Sequence, residues 1–174
     1  MTDEAHDRVP APLVAEAMRK AAVAWVEVPG RPAVALWCIP LDGALYVVSG
    51  PGEQAAPGLS EATTAAVTLR GDHGGRIATW PAEVTRVEPD GERWSAVAPL
   101  VAAKRLNAPG TAEELVGRWA GGCVLSRLAP VGEPLAAGPT LPDDSLAAPP
   151  APTPASRATR RPFRLHRVRR RPAR

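Results

Sequence analysis

The chain has 174 residues, 45% hydrophobic and 22% charged, the balance of a soluble globular protein rather than a disordered one. Its net charge of +3 is a composite: residues 1–132 hold 12 Lys+Arg against 15 Asp+Glu, a net of −3, and residues 133–174 hold 9 Arg against 3 Asp+Glu, a net of +6. The basic balance therefore argues nothing for nucleic-acid binding by the body of the chain, and no apolar run approaches the roughly 20 residues of a membrane helix.

Asp3, Glu4 and Asp7 occupy the N-terminus without an apolar stretch, so no signal peptide is expected. Residues 12–21 place Leu13, Ala17 and Ala21 at four-residue spacing behind Pro12, which predicts a short amphipathic helix. Residues 22–28 (AVAWVEV) are β-branched and aromatic and read as a strand. Pro29-Gly30-Arg31-Pro32 reverses the chain into a second strand, 33–39. Asp42-Gly43 is a two-residue hairpin signal ahead of a strand over 44–49. A Gly- and Pro-rich loop spans 50–58, and Ser60 with Glu61 predicts a short helix to about Thr64.

Residues 65–70 and 76–87 are predicted strands around the turn Gly71–Gly75, with a bulge or an edge at Pro81, which cannot donate a ladder bond. Two helices follow. Residues 92–106 carry Trp94, Val97 and Val101 in helical phase with a kink risk at Pro99, and Thr111 with Glu114 forms a capping box for a helix to Ala120. A last strand covers 123–128. Strands joined mainly by hairpins predict a mainly β fold with peripheral helices: an antiparallel barrel over residues 9–132. Residues 133–174 lack periodicity. A Pro/Ala-rich stretch to 156 and an Arg-rich end with 9 Arg predict a disordered C-terminal tail. That tail either touches nucleic acid weakly and without sequence preference or has no dedicated partner. Cys38 and Cys123 show no CxxC spacing and are expected as reduced, buried thiols of a cytoplasmic protein. His6, His73 and His166 show no metal spacing, and no nucleophilic triad is expected around His73.

The order "AWVEV", "GRPAVALWCIP", "LDGALYVVSGPGEQAAPGL", "AAVTLR", "GGRIATWPAEVTRVE", then "KRLN" and "CVLSRLAP", resembles the pyridoxamine 5′-phosphate oxidase-like split β-barrels over roughly residues 12–130. The resemblance implies an FMN-binding flavoprotein, or one that binds the deazaflavin coenzyme F-420, built as a homodimer with the cofactor between subunits. It implies an oxidoreductase in which the ring transfers hydride to a small substrate, with no catalytic side chain demanded. The implied cofactor contacts are Trp37 and Trp80 for stacking; Ser49, Gly50 and Gln54 in the loop after the "L-Y" strand; Arg70 and Arg76 for phosphate; and Lys104, Arg105 and Asn107 reaching across the interface. Trp25, Trp37 and Trp80 read equally as core aromatics, and Lys104–Arg105 as cations at a helix C-terminus.

One departure matters. Members that bind FMN carry basic residues in that loop and on the preceding strand, whereas here the loop reads Gly50-Pro51-Gly52-Glu53-Gln54 and the strand positions are Val34, Ala35 and Pro40. Glu53 has the wrong sign for phosphate, so its replacement by Lys is expected to strengthen binding. The alternative is a non-catalytic split barrel that has lost the phosphate grip and binds a ligand or a partner, with a polyanion-binding Arg-rich arm.

Overall fold

A computed structural model describes residues 11–142, together with Thr153 and Pro154. Of the expected disordered tail, only residues 133–142, Thr153 and Pro154 are described, and the rest lies outside the described residues. The elements run α1 (Pro12–Arg19), β1 (Val23–Glu27), β2 (Val34–Trp37), β3 (Ile39–Leu41), β4 (Ala44–Ser49), β5 (Thr64–Arg70), β6 (Arg76–Val87), α2 (Glu92–Ala103), α3 (Ala112–Gly122), β7 (Val124–Pro130) and β8 (Ala136–Ala137). All strand pairs are antiparallel, in the order β2-β1-β5-β6-β7-β4-β3, with β8 on β6. β2 and β3 adjoin in the chain yet stand at opposite ends of that order, so the sheet curls into a nearly closed barrel.

The predicted single strand 33–39 thus divides at Cys38. Its first part pairs with β1 and its second with β4, while the Cys38 N–H bonds the Ala22 carbonyl at 3.0 Å. The Asp42-Gly43 turn forms as expected. Both residues take positive φ (46° and 71°), the geometry whose twist matches a two-residue hairpin.

Alternation separates two cores. Val26, Leu36, Leu45, Val47, Val67, Trp80 and Leu128 fill the barrel, closed at one side by Val14, Ala17 and Met18 of α1. Ala44, Tyr46 and Val48 point the other way, into a second core with Trp94, Val97 and Val101 of α2 and Leu115 and Trp119 of α3. This explains why all six residues of β4 are buried: it is covered on both faces.

Pro81 behaves as an edge residue inside a central strand. β6 pairs with β7 from Ala82 onward and with β8 at Ala78 and Thr79, so Pro81 falls in the gap between those neighbours. Its carbonyl accepts from Val131 N on that side, and its missing donor faces the same gap. The irregularity in the β5–β6 ladder lies instead between Leu69 and Arg70. α2 runs through Pro99 without ending, because Pro99 and Ser95 are exposed and water can satisfy the unpaired carbonyl. The capping box forms: Thr111 Oγ1 accepts from Glu114 N and Glu114 Oε2 from Thr111 N.

Two further expectations fail. No helix starts at Ser60; residues 57–61 make turns, and the Ser60 hydroxyl bonds the Glu61 carboxylate at 2.6 Å instead of capping a helix. Residues 133–142, read as patternless, carry β8 and a 3₁₀ turn over Gly138–Thr140. Leu135 N donates to Thr79 O at 2.8 Å and Arg76 donates to Pro142 O. The part of β6 that β7 does not reach offers a ladder edge that apolar pattern does not advertise, and backbone bonding recruits the segment. Among the described residues no helix is long and apolar enough to cross a membrane, and no cluster of three or more His, Cys, Asp or Glu could hold a metal.

Two tests follow from this architecture. A chain ending at Pro130 should unfold at lower urea than one ending at Pro142, by about 1–3 kcal/mol for a few half-exposed backbone bonds. Equal midpoints would show that β8 contributes nothing. Cys38 is fully buried, and burial pushes its thiol from the ordinary 9.0 to about 12. The folded state then keeps a proton that the unfolded chain releases above pH 9. Stability should therefore fall between pH 9 and 12, by up to about 1.4 kcal/mol per pH unit. Denaturation of wild type and Cys38→Ala across the alkaline range should show that slope lost in the variant.

Candidate functional site

The loop after β4 is held by contacts from several elements. Gly50 takes φ 139°, and a Cβ there would stand 2.9 Å from the Cys123 Cα, so only glycine lets the two backbones approach. The Cys123 thiol lies 3.6 Å from the Pro51 carbonyl. Burial and the nearby Glu53 carboxylate push that thiol's pKa up, opposed by Arg118. Gln54 lies along β2: its Oε1 accepts from Trp37 N at 2.6 Å and its Nε2 donates to Ala35 O at 3.0 Å. Ser49, the buried end of β4, meets Gln54 in an isolated parallel bridge.

Glu53 turns inward. Its side chain is 5% exposed and accepts from Arg105 Nε at 2.9 Å and from Trp119 Nε1 at 3.0 Å. Arg105 also stacks on Trp37, its guanidinium carbon 5.4 Å from the ring centroid. Glu53, Arg105, Trp37 and Trp119 thus form one unit joining loop, β2, α3 and the end of α2.

A second cluster lies on the outer sheet face. Trp25 of β1 stands opposite Ala35 of β2 and Thr68 of β5, and Val23 opposite Trp37. Paired residues share a face, so Trp37, Val23, Ala35, Trp25 and Thr68 line one surface. Val23 is 49% and Trp25 36% exposed. Arg70, placed by the irregularity in its ladder, sits over Trp25 at 5.1 Å from the centroid and donates to Gly74 O. Its Nε is buried without a hydrogen-bond partner among the described residues. Thr68 and Thr79 share a hydroxyl hydrogen bond of 2.8 Å beside this patch.

Of the residues expected at a cofactor, the structure brings Trp37, Ser49, Gly50, Gln54 and Arg105 together and places Arg70 on the same outer face as Trp37. Arg76 is engaged with Pro142. Trp80 is 1% exposed inside the barrel, apart from both clusters. Lys104 caps α2, its N–H on the Val101 carbonyl, and Asn107 takes the left-handed φ of 57° that Asn tolerates in the following turn. Trp25, weighed with Trp37 and Trp80 as a stacking or a core aromatic, stands on the outer face; Trp119 is legible in the sequence only as an aromatic in an amphipathic helix.

Glu53→Lys is therefore not the gain the loop's charge suggests. It would set an ammonium beside Arg105 and remove the acceptor of Trp119. Glu53→Ala leaves the Trp119 indole N–H without its acceptor and the Arg105 guanidinium with the Leu106 carbonyl but no counter-charge, and should cost about 3 kcal/mol in urea denaturation. Glu53→Lys should cost at least as much, and Glu53→Gln, which keeps an acceptor, distinctly less. A wild-type midpoint for Glu53→Ala would show that the unit carries no stability.

No protein-family model and no curated protein sequence matches the chain. Solved structures do. The heme storage protein HutZ from Vibrio cholerae aligns with TM-score 0.52 at 16% identity, over 74% of this chain and 94% of that one. A FAD-binding protein from Mesorhizobium loti aligns with TM-score 0.44 at 17% identity, over 67% and 84%. The flavocytochrome Anf3 from Azotobacter vinelandii aligns with TM-score 0.43 at 13% identity, over 86% and 85%. At such identities the likeness is one of architecture: with the strand order and near-closure described above, the alignment with HutZ shows that this chain has the fold expected from its sequence, an antiparallel split β-barrel.

Proposed function

We propose that the protein binds FMN or a deazaflavin and is of the oxidoreductase type, a cytoplasmic homodimer whose ring site is the outer face of β1, β2 and β5. The observation that carries this reading is Arg70. Its guanidinium lies on an exposed indole and its buried Nε lacks a partner among the described residues, so the patch offers an aromatic plane and an unsatisfied cationic donor together. A planar anionic cofactor matches both. Trp25 and Trp37 would flank the ring and Arg70 would meet its phosphate. The loop at 50–54 does not fit a phosphate, because Glu53 is acidic there and Gln54 is bonded to β2. A bound flavin would itself supply hydride transfer to a small substrate; the chain's residues would orient and shield it. Exposed Val23 and Trp25 are the kind of apolar surface that a second subunit covers.

The closed acidic loop is also what favours the second reading, a non-catalytic barrel that has lost the phosphate grip. The Arg-rich arm lies outside the described residues; we propose for it only weak polyanion contact under either reading.

Titration with FMN and with the deazaflavin separates the two. The first reading expects saturable binding by a dimer in light scattering. It also expects Arg70→Ala to weaken that binding about ten- to a hundred-fold, the worth of one charged hydrogen bond, without loss of fold. Glu53→Gln should leave it unchanged. Absence of binding by wild type, or an Arg70→Ala variant that binds equally well, would favour the non-catalytic barrel.

A further inference from the structure

A cavity of about 190 Å³ opens between the β1–β2 hairpin and residues 56–59. Its floor is Val26, Leu36 and Leu59, each 1% exposed, and its wall is the half-buried Val28, Val34 and Ala56. Arg31, Pro32 and Pro57 form the exposed mouth. Val26 and Leu36 alternate with Trp25 and Trp37 along the same strands, so the cavity lies on the opposite side of the β1–β2 ribbon from the aromatic face.

Size and lining say what fits. Natural interiors keep few voids larger than a water molecule. An apolar cavity of about 150 Å³ stays dry and binds benzene. This one is larger and its floor and wall are entirely aliphatic, so water gains little there and a compact hydrocarbon group gains much.

The mouth adds one charge. Among the described residues Arg31 has no ion pair and its guanidinium no hydrogen bond. Its side chain lies across Gly58, where a Cβ would come within 2.5 Å of Arg31 Nε. Gly58 (φ 79°) thus leaves room for the arginine to rest beside the opening. Other donors at the rim are few. Pro32 and Pro57 have no N–H, and the N–H groups of Arg31 and Leu59 already bond the Val28 and Ala56 carbonyls.

We propose that this cavity is a binding site for a small monocarboxylic acid with a compact apolar body, an aromatic or short-chain acid. The hydrocarbon fills the aliphatic chamber and the carboxylate meets the Arg31 guanidinium, whose planar fork suits a carboxylate. The site shares no residue with the outer aromatic face and does not depend on cofactor binding there.

The test uses the full-length chain titrated with benzoate by calorimetry and by methyl NMR. Benzyl alcohol serves as the uncharged probe and inorganic phosphate as the bodiless anion. Benzoate should saturate in the millimolar range or below and shift the Val26, Val34 and Leu59 methyls. Arg31→Gln, an exposed change, should weaken benzoate about tenfold or more and leave benzyl alcohol unaffected. Val34→Phe, or Ala56→Leu should the first not fold, should fill the chamber and abolish both. The proposal is overturned if benzoate does not saturate the wild type or if Arg31→Gln affects both probes alike. It is overturned equally if phosphate competes with benzoate, or if the filled variants still bind.

Discussion

The barrel depends on how its seam is sealed. A sheet whose first and last strands are halves of one segment, Val34–Leu41, cannot close by ladder bonds alone, because the chain must leave β1 and reach β4 within a single residue, Cys38. That leaves the outer edge of β2 open. The carboxamide of Gln54 fills it, accepting from Trp37 N and donating to Ala35 O as a neighbouring strand would. An amide side chain is the one type that offers donor and acceptor in this geometry without a charge to desolvate. The parallel bridge between Gln54 and Ser49 ties the same point to β4, so both sides of the seam meet at one residue.

This sealing constrains the loop's chemistry. To deliver Gln54 the chain must turn sharply at Gly50 against Cys123, and the turn directs Glu53 beneath the helices. A carboxylate that is 5% exposed needs a cation and further donors, and Arg105 and Trp119 provide them. Arg105 in turn lies on Trp37, the residue whose N–H Gln54 holds. Four residues from four parts of the chain therefore satisfy one another. A loop so committed has little freedom left for an anion, whereas on the outer face Arg70 keeps a cationic donor that has no partner among the described residues.

Local signals in the sequence carried most of the fold. The positive-φ turn at Asp42-Gly43, the Thr111–Glu114 box and the strand-forming residues of 22–28 and 65–70 depend on neighbours a few residues apart, and each element forms, with strand bounds of 23–27 and 64–70. What the sequence hid is long-range or backbone-only. β8 is recruited by hydrogen bonds to β6 with small, half-buried side chains, so no apolar pattern marks it. Ser60 is a good cap in isolation but has no helix to cap once the chain must reach β5 by Thr64. Glu53 looked like a charge of the wrong sign in an open loop. Its partners lie 52 and 66 residues away, and nothing at that spacing announces a buried acid. Trp80 and Trp37 are indistinguishable by type, yet strand phase sends one into the barrel and the other to its surface.

That phase has a functional consequence for the β1–β2 ribbon. Because side chains alternate, a two-stranded ribbon at the rim of a barrel presents two surfaces with independent requirements. The outward face here carries Trp25 and Trp37, each with a stacked guanidinium group; the inward residues are aliphatic and stop short of filling their space beside Arg31. A change that preserves alternation can alter one surface without touching the other, whereas a one-residue slip in register would exchange them and destroy both. The register is pinned on one side by the Trp25–Thr68 and Val26–Val67 pairs with β5 and on the other by Gln54. The same carboxamide that seals the barrel therefore also fixes which residues face solvent and which face the cavity, and so places the aromatic plane and the aliphatic chamber on opposite sides of one ribbon.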